Sequence, residues 1–277
     1  MEIIEKTIIG KRTQQECEDG ITVNDRFVAV IDGSTSKTAA RIDSSMSNGR
    51  FCMETIKAFI DSMPAKTSME EFCKGITNAI YRIYAEYGYD INRLRAMPTE
   101  RATASAVIYS RHHRQVWLVG DCHCTVDGTY YDNPKPYEET IAAKRSAFIK
   151  NELHKCKDAY DLQKSIDCLR IKDTGRIHIL PELIAACSHQ NKNYAVIDGF
   201  DMPVNLIKVI NVPPQKTEII LASDGYPFIK SNLKQSDEAL MQLINTDPLL
   251  IDKYQATKGV MKGYNSFDDR SYVRFRD

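Results

Sequence analysis

Apolar and polar positions follow two different periods along this chain, and the two periods separate short strands from longer helices. Runs of about four to eight apolar or alternating residues predict strands. The run over residues 26–31 is nearly continuous, as expected for a strand that is covered on both faces. The predicted strands are residues 3–9, 26–31, 102–109, 115–119, 124–131 (around a tight turn at Asp127-Gly128), 194–197, 206–209, 217–222 and 271–275.

Helical spacing of apolar residues predicts one amphipathic helix at about 49–63, which Pro64 ends, and a second at about 68–87. Ser68 and Glu71 match a capping box at the start of the second helix. Ile76 and Ile80 lie on the apolar face of that helix and are expected to point into the core. Further helices are predicted at about 236–244 and towards residue 262, and the charged segment at about 137–189 is predicted to be mostly helical.

Hairpins and helix pairs are interleaved in this order, which differs from the repeating β-α-β order of a doubly wound sheet. No linker rich in Pro, Gly or Ser divides the chain, and no internal repeat is present. We therefore expect one α+β domain over residues 1–277, with helical layers around β-sheets. A helical insert or flap is expected at about 137–190, and the sequence leaves open whether it is a lid, a docking surface or padding.

Composition excludes several classes of partner. The chain has 37 basic and 37 acidic residues, so it lacks the positive charge that attracts nucleic acid or an anionic membrane. No apolar run approaches the roughly 20 residues that span a bilayer, and the N-terminus lacks the features of a signal peptide. We expect a cytoplasmic protein; its oligomeric state is not defined by the sequence. Asp121-Cys122-His123-Cys124 invites a zinc interpretation, but no second pair of ligands completes a familiar pattern.

Acidic residues follow predicted strands at several places. Strands that end in an acidic turn aim carboxylates at a shared centre, and several such turns together favour a hard divalent cation. Gly33 and Gly225 directly follow two of these acids and are expected to let the backbone turn sharply. Asp-Gly is also common in ordinary turns, which is the interpretation favoured for Asp127-Gly128 and Asp198-Gly199. The acidic set is Glu18, Asp19, Asp32, Asp121, Asp224, Asp268 and Asp269.

The order of these acidic segments resembles the metal-dependent Ser/Thr protein phosphatases of type 2C, the PPM family. "AVIDG" at Asp32 resembles the first DG turn of the family, and "VGDC" at Asp121 resembles its GDS element. "ILASDGYPF" at Asp224 resembles the LxSDG motif with its following aromatic residue, and "FDDRSYVRF" resembles the closing DN or DD element. The segment "RATASAVI" resembles a GSTA-type strand without its glycine. The match covers most of the chain but is concentrated in these segments.

This resemblance implies a β-sandwich flanked by paired helices in α-β-β-α layers, with two Mg²⁺ or Mn²⁺ ions at one end. Asp32 would bridge the ions and orient the attacking water. Asp224 and Asp268 would hold one ion, and Asp121 matches a third, weaker site. Asp269 ranks below Asp268 as a ligand because many members have Asn there. The implied metal set is Glu18, Asp19 (through water), Asp32, Gly33 (through its carbonyl), Asp121, Asp224, Asp268 and Asp269.

The implied activity is hydrolysis of phosphoserine or phosphothreonine in a phosphorylated protein, by a water that bridges the two ions. The family usually has an Arg four residues before the first acidic pair, where this chain has Gln14. Arg12 is the candidate phosphate contact instead, with a solvated surface charge as its alternative. The hydroxyl groups of residues 34–36 and the ammonium of Lys37 either bind phosphate or cap a turn.

Two other functions stay open at this point. The missing Arg favours a catalytically weak or inactive phosphatase-like protein that serves as a binding or regulatory module. "IDGSTS" at Asp32 also resembles a phosphate-binding hairpin of the sugar-kinase and actin-like class. That hairpin is one residue short here, and the chain has little room for two lobes, so this third interpretation is disfavoured.

Overall fold

Ten strands and seven helices make up the fold, and the computed structural model describes all 277 residues. The strands are β1 (Glu2–Ile9), β2 (Asp19–Val23), β3 (Phe27–Gly33), β4 (Ala104–Ser110), β5 (Gln115–Val119), β6 (His123–Val126), β7 (Thr129–Tyr131), β8 (Lys208–Asn211), β9 (Glu218–Ala222) and β10 (Arg270–Arg276). The helices are α1 (Asn48–Ser62), α2 (Met69–Glu86), α3 (Ile91–Ala96), α4 (Glu138–Leu153), α5 (Ala159–Ile171), α6 (Thr174–Cys187) and α7 (Leu233–Thr246).

The strands form two antiparallel sheets that pack face to face. One sheet has the order β1-β10-β9-β6-β7 and the other the order β2-β3-β4-β5-β8. Successive side chains of a strand point to opposite faces. In β3, Val28 and Val30 therefore join the cluster between the sheets, which also contains Leu221 and Phe275. Phe27 on the same strand belongs to the cluster on the outer side, so the prediction of a strand covered on both faces is confirmed.

Helices cover the outer faces of both sheets. Ile56 on α1 and Ile76 on α2 pack with Trp117 of β5 in the largest apolar cluster. On the other side, Leu240 of α7 packs with Tyr272 of β10. The layers are thus α-β-β-α, and the predicted α+β fold, a β-sandwich flanked by helices, is confirmed. No helix of the structure has the length and apolar character needed to cross a bilayer.

Helix α2 begins with the predicted capping box. The Ser68 hydroxyl accepts a hydrogen bond from the Glu71 backbone N–H at 3.2 Å, and the Glu71 carboxylate accepts one from the Ser68 backbone N–H at 2.8 Å. Both bonds satisfy amides that the first helical turn leaves without a partner. The preceding helix, α1, ends at Ser62, two residues before Pro64, as predicted.

Several elements differ from the sequence-based prediction. The predicted strand at 194–197 has only two isolated bridges: Ile197 pairs with Ala104, the first residue of β4, and Tyr194 pairs with Gln190. No helix runs towards residue 262. After α7, the Asp247 carboxylate accepts hydrogen bonds from the N–H groups of Ile251, Asp252 and Lys253. These amides therefore do not take part in helical hydrogen bonds. Two elements, β2 and α3, are absent from the prediction.

The predicted helical segment is present as α4, α5 and α6. Ile141 of α4 packs against Ile179 and Leu183 of α6. The fully buried Arg145 of α4 forms an ion pair with Asp173 at 2.7 Å and also donates to backbone carbonyls of residues 249 and 256. The segment is therefore fastened to the chain that leads into β10. The treatment of residues 1–277 as a single domain with an insert stays a prediction.

Candidate metal centre

Four aspartates from separate strands line one cavity of about 80 Å³ at an end of the sandwich. Asp32 lies near the end of β3, Asp121 follows β5, Asp224 follows β9, and Asp268 precedes β10. Adjacent antiparallel strands run in opposite directions, so the end of one strand lies beside the start of its neighbour. The sandwich therefore brings to one edge four carboxylates that are far apart in the sequence.

Asp32 belongs to β3 itself and not to a turn after the strand. Its strand continues through Gly33, and Asp19 of β2 lies opposite Asp32 in the register. The segment around Asp19, outside every predicted strand, is thus an edge strand that presents a second carboxylate beside the first. Burial raises the pKa of Asp32 well above its usual range, and the nearby carboxylates of Asp224, Asp19 and Asp121 raise it further.

Two carboxylate oxygens in this region are buried without a hydrogen-bond donor. They are Oδ1 of Asp19 and Oδ1 of Asp224. Burial raises the pKa of Asp19 to about 7, and burial together with Asp268 and Asp121 raises the pKa of Asp224 well above its usual range. A buried carboxylate that lacks a donor needs a proton or a cation for compensation. This all-oxygen donor set fits Mg²⁺ or Mn²⁺.

Glu138 joins this set and is absent from the sequence-based prediction. One carboxylate oxygen from each of Asp121, Glu138 and Asp224 lies within 4.8 Å of the others, close enough to share a cation. Glu138 is the first residue of α4, so the helical segment reaches the cavity. Burial raises its pKa, although Lys135 opposes that shift. An acidic residue in a first helical turn is ordinary, and no local pattern distinguishes this one.

Glu18 and Asp269 are held by donors of the protein and do not line the cavity. The two oxygens of Glu18 accept hydrogen bonds from the hydroxyls of Ser47 at 2.5 Å and Thr35 at 2.6 Å. The two oxygens of Asp269 accept from the backbone N–H of Lys11 at 2.7 Å and of Glu18 at 3.1 Å. Asp269 thus ties the N-terminal loop to the start of β10, and its metal role stays a prediction.

Lysine side chains partly neutralise the acidic cluster. Lys135 contacts Asp121 at 2.5 Å, and Lys258 and Lys11 both contact Asp268, the latter at 3.1 Å. Burial would raise the pKa of Asp121, but Lys135 outweighs it and holds that pKa below its usual range. Burial would also raise the pKa of Asp268, but Lys258 and Lys11 outweigh it and lower that pKa. Asp32 and Asp224 have no such ion pair.

Arg12, the predicted phosphate contact, lies outside the cavity. Its guanidinium pairs with Glu16 at 3.1 Å, and the two side chains are 58% and 54% exposed. Gln14 accepts a hydrogen bond from the Gly10 backbone N–H through its side chain. The structure therefore places Arg12 as a surface charge. The basic residues that do line the cavity are Lys37, Lys135, Arg176 and Lys258.

Gly33 and Gly225 serve close packing, and neither has a positive φ. Gly33 is the last residue of β3, whereas Gly225 lies in the predicted turn, where the Tyr226 N–H donates to the Ser223 carbonyl oxygen at 3.1 Å. A Cβ at Gly225 would lie 1.9 Å from the backbone oxygen of Asp269, and one at Gly33 would lie 2.3 Å from that of Gly49. Gly120, with φ +80°, does need the conformational freedom of glycine where the chain turns after β5.

The Asp-Cys-His-Cys segment does not assemble a zinc site. Cys122 and Cys124 belong to the apolar cluster between the sheets. The His123 ring contacts the Ser223 carbonyl oxygen at 3.1 Å and the Tyr130 hydroxyl at 2.9 Å. Burial lowers the pKa of His123 to about 4. The strand alternation thus sends the cysteines and the histidine in different directions.

Asp198, predicted to belong to an ordinary turn, has a structural role as well. Its carboxylate is fully buried and pairs with Arg101 at 2.7 Å. It also accepts hydrogen bonds from the Asn191 side chain and the Phe200 backbone N–H, both at 3.0 Å. Gly199, with φ +83°, completes the predicted turn. This network lies apart from the cavity.

Comparison with solved structures finds matches over nearly the whole chain, including two that are named as Ser/Thr phosphatases. PppA, a regulatory component of the type VI secretion system in Pseudomonas aeruginosa, aligns over 99% of this chain and 96% of its own length. The identity is 14% and the TM-score is 0.47. The catalytic domain of PstP, solved with 2 manganese ions, matches with 12% identity, 100% and 99% coverage and a TM-score of 0.47. MsPP, a PPM phosphatase from Mycobacterium smegmatis solved with cacodylate, matches with 14% identity, 99% and 98% coverage and a TM-score of 0.45.

No protein-family model and no curated protein sequence matches the chain. MsPP is named as a member of the PPM family, which the acidic segments resemble. Identities and TM-scores this low say nothing about activity. The functional interpretation therefore rests on the residues of the cavity.

Proposed function

We propose that this protein is a Mg²⁺- or Mn²⁺-dependent phosphatase that acts on phosphoserine or phosphothreonine in a phosphorylated protein. The observation that carries the proposal is the meeting of Asp32, Asp121, Asp224 and Asp268 in one cavity. Two further facts support it. Buried Oδ1 of Asp224 has no donor, and burial among like charges raises the pKa of Asp32 and Asp224.

The metal ligands in this proposal are Asp32, Asp224 and Asp268, with Glu138 added to Asp121 at the third position. Two bound cations would supply an activated water and neutralise the phosphoryl oxygens. Glu18 and Asp19 keep their proposed places beside the second ion, Asp19 because its Oδ1 also lacks a donor.

The chain's own residues hold the reactants in place. The Asp32 carboxylate lines the cavity and accepts a hydrogen bond from the attacking water, which fixes the direction of attack. The Ser105 hydroxyl donates to Asp121 at 2.6 Å, and Lys135 contacts the other oxygen of the same carboxylate. These bonds orient Asp121 before any ligand binds. The basic lining residues place positive charge where a phosphate monoester would enter.

A second candidate is a catalytically weak, phosphatase-like module with a regulatory role. The observation that favours it is the set of ion pairs that Lys135, Lys258 and Lys11 make with the acidic cluster. An ammonium group beside a carboxylate competes with a divalent cation for the same oxygen. In this candidate, lysines replace part of the metal charge and the protein binds phosphoproteins without turnover.

Hydrolysis of p-nitrophenyl phosphate and of phosphothreonine peptides tests the proposal. We expect activity with Mn²⁺ or Mg²⁺, loss of activity with a chelator, and loss in Asp224→Asn. Asp25→Asn, an exposed aspartate in the turn between β2 and β3, is the matched control and should keep full activity. Full activity of Asp224→Asn, or in chelator, would contradict the proposal. Metal binding by calorimetry without turnover of any phosphopeptide would favour the second candidate.

A further inference from the structure

Two cationic side chains in the cavity have no carboxylate partner. The Lys37 ammonium contacts only the Ser34 hydroxyl and the Thr35 carbonyl oxygen, each at 3.3 Å. The Arg176 guanidinium donates to the Thr257 carbonyl oxygen at 3.1 Å. The other two basic lining residues are both paired with aspartates of the metal centre. Lys37 and Arg176 are therefore the cations of this cavity that form no ion pair.

Burial makes this lack of a partner significant. Both side chains are half-buried, and burial lowers the pKa of each. The neighbouring Lys135, Arg176 and Lys258 also oppose the charge of Lys37. Removing a cation from water without an anion beside it is unfavourable. A bound anion would compensate these two charges, whereas a divalent cation would add to the repulsion.

The Arg176 backbone is fixed before any ligand arrives. Its N–H donates to Oδ1 of Asp173, the residue that caps the N-terminus of α6, at 2.7 Å. Asp173 is in turn held by the fully buried Arg145, at 2.7 Å. Lys37 comes from the loop after β3, four residues beyond Gly33. The two cations thus reach the cavity from separate elements, one on the sandwich and one on the helical segment.

We propose that Lys37 and Arg176 form a phosphate clamp, which binds the phosphoryl group of a phosphate monoester beside the acidic cluster. The clamp rests on the proposed function and deepens it, because it assigns the phosphate contact that Gln14 and Arg12 do not supply. The guanidinium of Arg176 offers a planar fork for two phosphoryl oxygens, and the ammonium of Lys37 acts as a point charge. The segment around α6 then forms part of the binding site.

The size of the cavity agrees with a phosphoryl group. A volume of about 80 Å³ holds several water-sized groups, which is enough for the oxygens of a phosphoryl group. The clamp contacts only that group, so it recognises the phosphate monoester itself, whether a phosphoprotein or a small molecule carries it.

Calorimetric titration with inorganic phosphate in the presence of Mg²⁺ tests the clamp without relying on turnover. We expect Arg176→Gln and Lys37→Gln each to weaken phosphate binding by about tenfold or more, the usual effect of losing a charge-assisted hydrogen bond. Affinity for Mg²⁺, titrated separately, should change by less than about twofold because neither residue contributes a metal ligand. Arg82→Gln, which removes an exposed charge on α2, is the control and should bind phosphate normally.

Arg176→Lys separates binding from a structural effect. It keeps the charge and loses the fork, so phosphate affinity should fall between wild type and Arg176→Gln while the melting temperature stays at the wild-type value. If Arg176→Gln does not fold, Lys37→Gln carries the test. Where turnover is measurable, Arg176→Gln should raise KM for p-nitrophenyl phosphate and for a phosphothreonine peptide by a similar factor. A rise for the peptide alone would show a contact with the peptide chain and overturn the clamp.

The clamp and the proposed function fail in different ways. If the wild-type protein binds phosphate but shows no turnover, and both variants lose that binding, the phosphatase proposal fails and the clamp stands. If the protein turns over substrate and both variants keep the wild-type affinity for phosphate, the clamp is overturned and the phosphatase proposal stands. Loss of phosphate affinity in Arg12→Gln but not in Arg176→Gln would also overturn the clamp, as would a wild-type protein that does not bind phosphate.

Discussion

Asp224→Asn should change stability in opposite directions with and without metal. In the metal-free protein, Oδ1 of Asp224 is buried without a donor, and Asp268 and Asp121 lie nearby. The folded-state pKa of Asp224 is raised above its unfolded value, so its contribution to stability is present at low pH and lost as pH rises through that raised pKa. Above that raised pKa, the amide removes an unfavourable negative charge. Metal-free Asp224→Asn should therefore be at least as stable as wild type.

Bound metal reverses this order. A cation at a concentration of about 100 times its Kd stabilises a folded protein by about 2.7 kcal/mol per site. For a chain of this size, each kcal/mol raises the melting temperature by about 2–4 °C. Saturating Mg²⁺ or Mn²⁺ should thus raise the melting temperature of wild type by about 5–11 °C for one site. Asp224→Asn should lose most of that increase, since it removes a proposed ligand that forms no ion pair with a lysine or arginine.

Thermal unfolding followed by circular dichroism, with chelator or with saturating Mg²⁺, measures both effects in one experiment. Asp25→Asn serves as the control for loss of an exposed charge and should keep the full increase with metal. A metal-dependent increase in Asp224→Asn as large as that of wild type would refute the assignment of Asp224 as a ligand. A metal-free variant that melts several degrees below wild type would refute the electrostatic reasoning.

Three further predictions concern the surroundings of the centre. Asp198→Ala should lower the free energy of unfolding by about 3–5 kcal/mol in urea titrations, because it leaves Arg101 buried without its partner; a loss under about 1 kcal/mol would contradict this. Stabilisation by Mg²⁺ should grow between pH 6 and pH 8, since protons compete for Asp19, whose pKa burial raises to about 7; an increase in melting temperature that does not vary with pH would count against it. Gly225→Ala should destabilise the protein by about 1–3 kcal/mol and weaken Mg²⁺ binding, because its Cβ would meet the Asp269 backbone oxygen; wild-type values for both would show that the β9–β10 contact is not tight.

Local patterns predict most of the secondary structure. The apolar run of β3, the capping box at Ser68 and Glu71, and the stop at Pro64 all act over a few residues, and the structure has each of them. The failures occur where distant contacts decide. The Asp19–Val23 strand is short and mixed in character, and it exists because β3 pairs with it. Residues 194–197 have strand-like composition, but only Ile197 pairs with a neighbouring strand, at Ala104 of β4.

The candidate site divides in the same way. Four aspartates lie next to strands in the sequence, and antiparallel strands bring such residues to one edge of a sheet. Their order and pattern therefore predict a shared site for Asp32, Asp121, Asp224 and Asp268. Whether Arg12 reaches the cavity depends on the path of a loop, and that path pairs it with Glu16 at the surface. The segment around Asp32 can be recognised from its neighbouring residues, whereas the position of Arg12 depends on how the loop folds.

Glu138 and Arg176 needed the folded chain, whereas the sequence already offered Lys37 as a candidate phosphate contact. Glu138 resembles any acidic residue in a first helical turn, and Arg176 resembles any charge on a polar helix. They meet the aspartates because α4 and α6 pack over the end of the sandwich, fastened there by buried Arg145. Strand periodicity and acidic order are properties of neighbouring residues, so they can be read along the chain. The meeting of α4 and α6 with the aspartates of the sandwich is set by packing between separate segments of the chain, and that packing has no local signature.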